Sequence, residues 1–329
     1  MGMAGFTVAL MMIGVIISPC VYGREFSDHQ EIEVERLLKR LNKHALISIK
    51  SDDGDIIDCV PIQSQLAFDH PLLKNHTIQM RPSFIPESTS TYTTDITNVT
   101  QYATMNSKGK YFGTEFVVNI WKPYVQGRRE FSLAQTWIVS GDGPTKNTIE
   151  AGFQADGYQH TGCYNTDCPG FVQMSKRVTV GGTFKTVSQY GGDQFVHRIV
   201  IWRDRKNGKK WWLKVGDEFV GYWPSSLFTS IRDGAKRVSW GGEIVNDMTG
   251  GKHTATDMGS GHFAEEGNKK ASYFRNLKIV SDTNFMREPK GVYTKTTNAN
   301  CYNIKAGPNG TSWGVKFYYG GPGLNAKCP

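Results

Sequence analysis

Long apolar runs are scarce in this 329-residue chain. The richest one, Met1 to Cys20, is broken by Gly, Thr, Ser and Pro, and its apolar part is shorter than the roughly 18 to 20 residues that span a bilayer. Small Gly23 and the charged pair Arg24-Glu25 follow it, so residues 1–23 read as a secretory signal peptide rather than an anchor. Short catalytic signatures are also missing: no Gly-x-Gly-x-x-Gly, Walker loop or His-Glu-x-x-His occurs, which removes the usual entry points for dinucleotide, nucleotide and zincin chemistry. The histidines, among them His70, His76, His160, His197, His253 and His262, show no ligand spacing.

Cysteine is sparse. With Cys20 in the leader and Cys59 in the next segment, Cys163, Cys168, Cys301 and Cys328 remain, an even set that predicts two local disulfides, Cys163–Cys168 and Cys301–Cys328. A zinc site is the rival reading, and it lacks further Cys or His at regular spacing. Sequons at Asn75, Asn98 and Asn309 agree with secretion and glycosylation. Acidic residues are outnumbered, giving a net charge of +8, and the basic cluster Arg203 to Lys210 is its densest part. It surrounds Asn207-Gly208 between two apolar runs, so it reads as a solvated hairpin tip that could attract anionic cell-wall material, not as a nucleic-acid interface.

What is abundant is strand-forming residues between turns. Trp, Tyr, Phe, Val, Ile and Thr recur after residue 110 in short segments: 111–121, 131–139, 148–153, 170–174, 195–203, 210–215, 219–223, 238–245 and 271–280. An all-β fold, an antiparallel β-sandwich of two sheets, is the economical arrangement. Ahead of it, Val34, Leu37, Leu38 and Leu41 fall at helical spacing and predict one amphipathic helix over 31–43 within a small mixed prosegment, residues 24–86. Residues 87–109, rich in Ser and Thr, read as a linker, and 110–329 as the sandwich domain. Residues 225–233 predict a second short helix covering a sheet edge.

Two carboxylates stand out by setting. Glu150, in Ile149-Glu150-Ala151-Gly152, and Glu243, in Trp240-Gly241-Gly242-Glu243, each sit in an apolar, glycine-containing strand where a charge is expensive. Such a pair suits acid/base hydrolysis, and Gly152, Trp240, Gly241 and Gly242 are candidate groove-lining positions. An outward-facing strand glutamate is the plainer alternative.

The set Ile149-Glu150-Ala151-Gly152, Gly162-Cys163-Tyr164-Asn165, Cys168-Pro169-Gly170-Phe171, Trp211-Trp212, Gly221-Tyr222-Trp223-Pro224 and Trp240-Gly241-Gly242-Glu243 resembles the neprosin family of plant glutamic peptidases. Ala67-Phe68-Asp69-His70-Pro71-Leu72-Leu73-Lys74-Asn75-His76 is similar to that family's activation peptide, and the likeness is collinear over nearly all residues beyond about 30. The resemblance implies a proenzyme processed at acid pH, Glu150 and Glu243 as the catalytic pair, cleavage after proline, and no metal or organic cofactor. It implies a peptide or protein substrate and a prosegment that inhibits by covering the groove. One departure is the nine-residue segment 153–161, shorter than the family's, which predicts a shortened sheet edge beside Glu150. A two-carboxylate glycosidase, or a secreted binding module lined by Trp202, Trp211, Trp212, Trp223 and Trp240, would use the same frame.

Overall fold

In the computed structural model the described residues are 28–51, 54, 56–88, 91–92, 101–156, 165–166, 169–206, 209–248, 252–308 and 312–329. The leader, Cys163, Cys168, Asn98, Asn309 and the Asn207-Gly208 turn lie outside them. Among the described residues no helix is long and apolar enough to cross a membrane.

Helix α1 (Asp28–Leu41) opens the described chain, and Val34, Leu38 and Leu41 of its apolar stripe are half-buried. An exposed hairpin follows, β1 (Ile47–Lys50) with β2 (Ile56–Cys59), and then three single 3-10 turns between Ile62 and Leu73. Two short strands come next, β3 (Glu87–Ser88) and β4 (Thr91–Tyr92). The sandwich is built from β5 (Gln101–Tyr111), β6 (Gly113–Asn119), β7 (Phe131–Ser140), β8 (Asn147–Asp156), β9 (Val172–Gln173), β10 (Val196–Arg203), β11 (Trp211–Val215), β12 (Glu218–Trp223), β13 (Ala235–Ile244) and β14 (Ser272–Val280). It is completed by β15 (Phe285–Arg287), β16 (Pro289–Lys290), β17 (Tyr293–Thr296), β18 (Asn303–Ala306) and β19 (Phe317–Gly320).

Five strands in the order β17-β5-β13-β7-β8 make one sheet, and the larger sheet runs β18-β19-β14-β6-β10-β11-β12-β9, with β15 attached to β14 and β3 to β15. All neighbours in the five-stranded sheet are antiparallel. Alternate residues of each strand meet between the sheets: Ala103, Met105, Ile138, Ile149, Val238 and Trp240 from one side, Phe116, Ile199, Ile201, Trp211, Phe274 and Tyr319 from the other. Trp240 is fully buried, and its Nε1 donates to Thr114 Oγ1 at 2.9 Å, so even the indole N–H is satisfied within the core. The tryptophans at 202, 211 and 212 are likewise buried. They are packing residues rather than a groove lining.

The stretch from Gln101 to Tyr111 is not linker. It is β5, an interior strand paired with both β13 and β17. The expected helix at 225–233 reduces to one 3-10 turn, Ser225–Leu227. Asn147 Oδ1 accepts from the backbone N–H of Thr229 and of Ser230, which diverts those donors from an i→i−4 ladder.

The prosegment seats on the outer face of the larger sheet. Ala67, Phe68 and Phe84 pack against Phe112, Val200, Trp202, Trp212 and Tyr222, which explains why β10 reads as a continuous apolar run: it is covered on both faces. Polar anchors fix the register: Gln65 and Gln173 exchange two side-chain to backbone hydrogen bonds, and Trp202 Nε1 donates to the Phe84 carbonyl. Asp204 is fully buried and accepts from Ser83 N at 2.5 Å and Gln79 Nε2 at 3.2 Å. Arg203 and Lys210 at the base of the basic cluster are also buried, whereas Arg205, Lys206 and Lys209 are exposed, so the cluster is solvated at its tip and anchored at its base.

His76 Nε2 lies 3.0 Å from the Tyr222 hydroxyl in this interface. Burial first, and then the charge of Lys210, hold the imidazole below its ordinary range. A histidine depressed in the docked state supports docking above the free imidazole's pKa of about 6.5, and that support is lost as pH falls through the docked value. Hydrogen-exchange protection factors of residues 62–86, taken relative to the intrinsic rate at each pH, should therefore fall on acidification below about pH 6.5, and less so in His76→Gln. Equal pH dependence in both proteins would contradict this.

At the C-terminal end Cys301 and Cys328 form a disulfide with Cα atoms 5.3 Å apart, closing a loop over 27 positions that contains β18 and β19. Replacing both by Ala should cost roughly 2–4 kcal/mol, read as a fall in melting temperature under non-reducing conditions. An unchanged melting temperature would show the loop to be held by packing alone.

Candidate active site

The alternation that buries Val238, Trp240 and Ile244 of β13 turns Ser239, Gly241 and Glu243 outward, away from the larger sheet. In β8, Ile149, Ala151 and Phe153 pack inward, and Glu150 and Gly152 face outward. Both glutamates therefore project from the same face of the five-stranded sheet. That face is opposite the one on which residues 62–86 of the prosegment sit, so this stretch does not cover them.

Register places the two side chains diagonally. Glu243 is level with Leu133 on β7 and, through it, with Gln154 on β8; Glu150 is level with Trp137 and Ser239. The glutamates are thus two strands and four residues apart, with Cα atoms roughly 16 Å apart in a flat sheet. Twist and side-chain lean shorten this diagonal. Tyr102 and Trp137 stand in the same offset in the same direction, and their rings meet edge to face with centroids 6.0 Å apart, passing over Gly241.

The row between the glutamates is Gly241, Gln135 and Gly152, one residue from each of β13, β7 and β8. Both glycines are sterically required. A Cβ at Gly241, where φ is +151°, would lie 2.1 Å from the Ala103 carbonyl oxygen, and one at Gly152 would lie 2.0 Å from that of Ala134. The result is a side-chain-poor strip, open at exposed Gly152 and roofed at buried Gly241 by the Tyr102 and Trp137 rings. Of the proposed lining positions, Gly152 and Gly241 border this strip. Trp240 and Gly242 do not: a Cβ at Gly242 would meet Met258 and Tyr319 in the core.

Glu150 Oε2 accepts from Gln135 Nε2 at 2.8 Å. Its strand is the sheet edge among the described residues, and the side chain is open to solvent. The protein atoms crowded around it raise its carboxyl above the ordinary range, against the lowering effects of Thr148, Gln135 and Lys146. Solvent access tempers that rise. Glu243 is half-buried between Tyr102 and Leu133. Apolar outward residues Phe131, Leu133, Trp137 and Val139 flank the pair.

Other buried carboxylates are committed to structure. Glu115 is paired with Arg198 and, at 2.8 Å, with Lys278. Burial would raise Glu130, but hydrogen bonds from Thr254, Thr256 and the backbone N–H groups of Asp247 and Gly127 together hold it below its ordinary range. His253 lies near Cys301 and Cys328, whose sulfurs are joined to each other and are not thiolate ligands. Gly310-Thr311-Ser312-Trp313-Gly314 spells Gly-x-Ser-x-Gly, and among the described residues, which resume at Ser312, no helix follows it before β19, unlike a nucleophile elbow.

Comparison with known proteins agrees with this frame. The family model for the neprosin activation peptide matches residues 48–151, and that for neprosin matches residues 153–322. Their boundary falls inside β8, so it divides the family models and not the sandwich. A solved structure of Scytalido-glutamic peptidase with a peptide-based transition state analogue aligns with 12% identity, over 69% of this chain and 100% of that one, at a TM-score of 0.36. That likeness is too distant to bear on the site. The paired family matches establish that the chain belongs to the neprosin family of glutamic-type peptidases, with its N-terminal activation peptide.

Proposed function

We propose that this protein is a secreted, acid-active endopeptidase made as a proenzyme, cleaving after proline, with Glu150 and Glu243 as general acid and general base on water. The observation that carries this reading is the placement of both carboxylates on one sheet face across the Gly241-Gln135-Gly152 strip. One ionised carboxylate takes a proton from the attacking water as the protonated partner donates to the scissile carbonyl oxygen; on collapse the first passes the water-derived proton to the leaving amine and the partner recovers its own from the gem-diol hydroxyl. The elevated carboxyl of Glu150 supports its role as the acid, with Glu243 as base. The apolar flank of Leu133, Trp137 and Tyr102 supports a substrate with a compact apolar ring next to the cleaved bond.

Latency in this reading rests on prosegment residues outside 62–86, since that stretch sits on the far face of the sandwich, and Asn75, exposed on it, carries a glycan. Acid incubation of the purified protein with a proline-containing peptide tests the whole proposal. Mass spectrometry should show peptide products ending in proline and self-cleavage within 87–100. Intact peptide and intact chain from pH 2 to 7 would contradict it.

A further inference from the structure

Along β7 the outward positions are Phe131, Leu133, Gln135, Trp137 and Val139. Four of the five are apolar and buried together; Gln135 alone is polar, and it is half-buried. It also stands level with two glycines that admit no side chain, so it is the one side chain in the row separating Glu150 from Glu243. Its Nε2 already donates to Glu150 Oε2 at 2.8 Å.

Resting on the two-glutamate reading above, we propose that Gln135 is a positioning residue that fixes which oxygen of Glu150 carries the catalytic proton. Oε2 is occupied as an acceptor for the amide, so a proton on Glu150 resides on Oε1 and is delivered from that side. An amide suits the task because it does not titrate over the acid range in which both carboxyls change charge. A carboxylate here would join their titration, and an apolar residue would remove the cross-strand hydrogen bond to Glu150 and leave it to Thr148 on its own strand. Leu133 and Trp137, two residues to either side on the strand, confine the glutamine's swing.

The charge that acts on Glu150 is Lys146, one residue ahead of its strand; Glu243 and Arg237 on β13 project from the same sheet face, and β7 presents no charged group. Replacing the amide therefore removes the hydrogen bond that β7 gives to Glu150 without changing net charge.

The test compares Gln135→Met, which keeps volume, Gln135→Ala and Glu150→Gln with the parent, using the acid-processed enzyme and a proline-containing peptide from pH 2 to 7. Both Gln135 variants should lose roughly 10- to 100-fold in kcat with KM little changed. Their high-pH limb should move to higher pH, because a hydrogen bond that favours the ionised form has gone. Parent kcat and a parent pH profile in Gln135→Met, with Glu150→Gln inactive, would overturn this inference and leave the two-glutamate reading standing. Parent activity in Glu150→Gln would instead overturn that reading and this inference with it.

Discussion

Replacing Glu150 or Glu243 by Gln is expected to lower kcat by roughly 100- to 10,000-fold while leaving the melting temperature within a few degrees of the parent. The amide keeps the shape of the side chain and removes its ability to hold and release a proton. Glu150 is solvent-open at a sheet edge and Glu243 half-buried on an outward face, so neither supports the packing between the sheets. The double variant should lose no more than slightly beyond the worse single one, because two groups that act on one proton cycle are not additive. Steady-state kinetics at the acid optimum decides the matter, and a loss under threefold in either single variant would contradict the assignment.

The second large effect concerns stability. Gly241→Ala should cost roughly 2–5 kcal/mol, since φ of +151° is unfavourable for an L side chain and the new methyl would lie 2.1 Å from the Ala103 carbonyl oxygen on β5. The obstacle is backbone, which yields only if β5 and β13 separate. Gly216→Ala is the control: it has a positive φ of +56° but nothing within 4 Å, so its cost should stay near 1 kcal/mol. Differential scanning calorimetry of the two variants separates packing from conformational strain. Equal melting temperatures would show that the close approach at Gly241 does not exist in solution.

Parts of this arrangement were legible in the sequence for a plain reason. In β8 and β13 the alternation of Ile149, Ala151 and Phe153, or of Val238, Trp240 and Ile244, fixes which residues face the core. The same parity excludes Trp240 and Gly242 from the outward face that Glu243 occupies, so those two lining positions were open to correction from the sequence itself. Strand β5 was not legible because its inward residues are Ala103, Met105 and Ser107 and its outward ones Thr104, Asn106 and Lys108, a contrast too weak to signal a strand. The seating of the prosegment could not be read at all. Asp204 looks like a solvated turn residue until the backbone N–H of Ser83, 121 positions away, is placed against it.

Gln135 escaped notice for a different reason: a neutral amide in a strand carries no chemical signature. What marks it is only its row, between Gly241 and Gly152, and that row exists only once three strands are in register.

The most direct measurement of the central claim is the pH dependence of kcat/KM for a proline-containing peptide, taken from pH 2 to 7 on the acid-processed parent. A mechanism that needs one protonated and one ionised carboxyl predicts a bell in the acid range whose high-pH limb follows the raised carboxyl of Glu150, with activity gone by neutrality. A rate that stays flat or climbs towards pH 7 would contradict it, because two carboxylates both ionised have no proton to give.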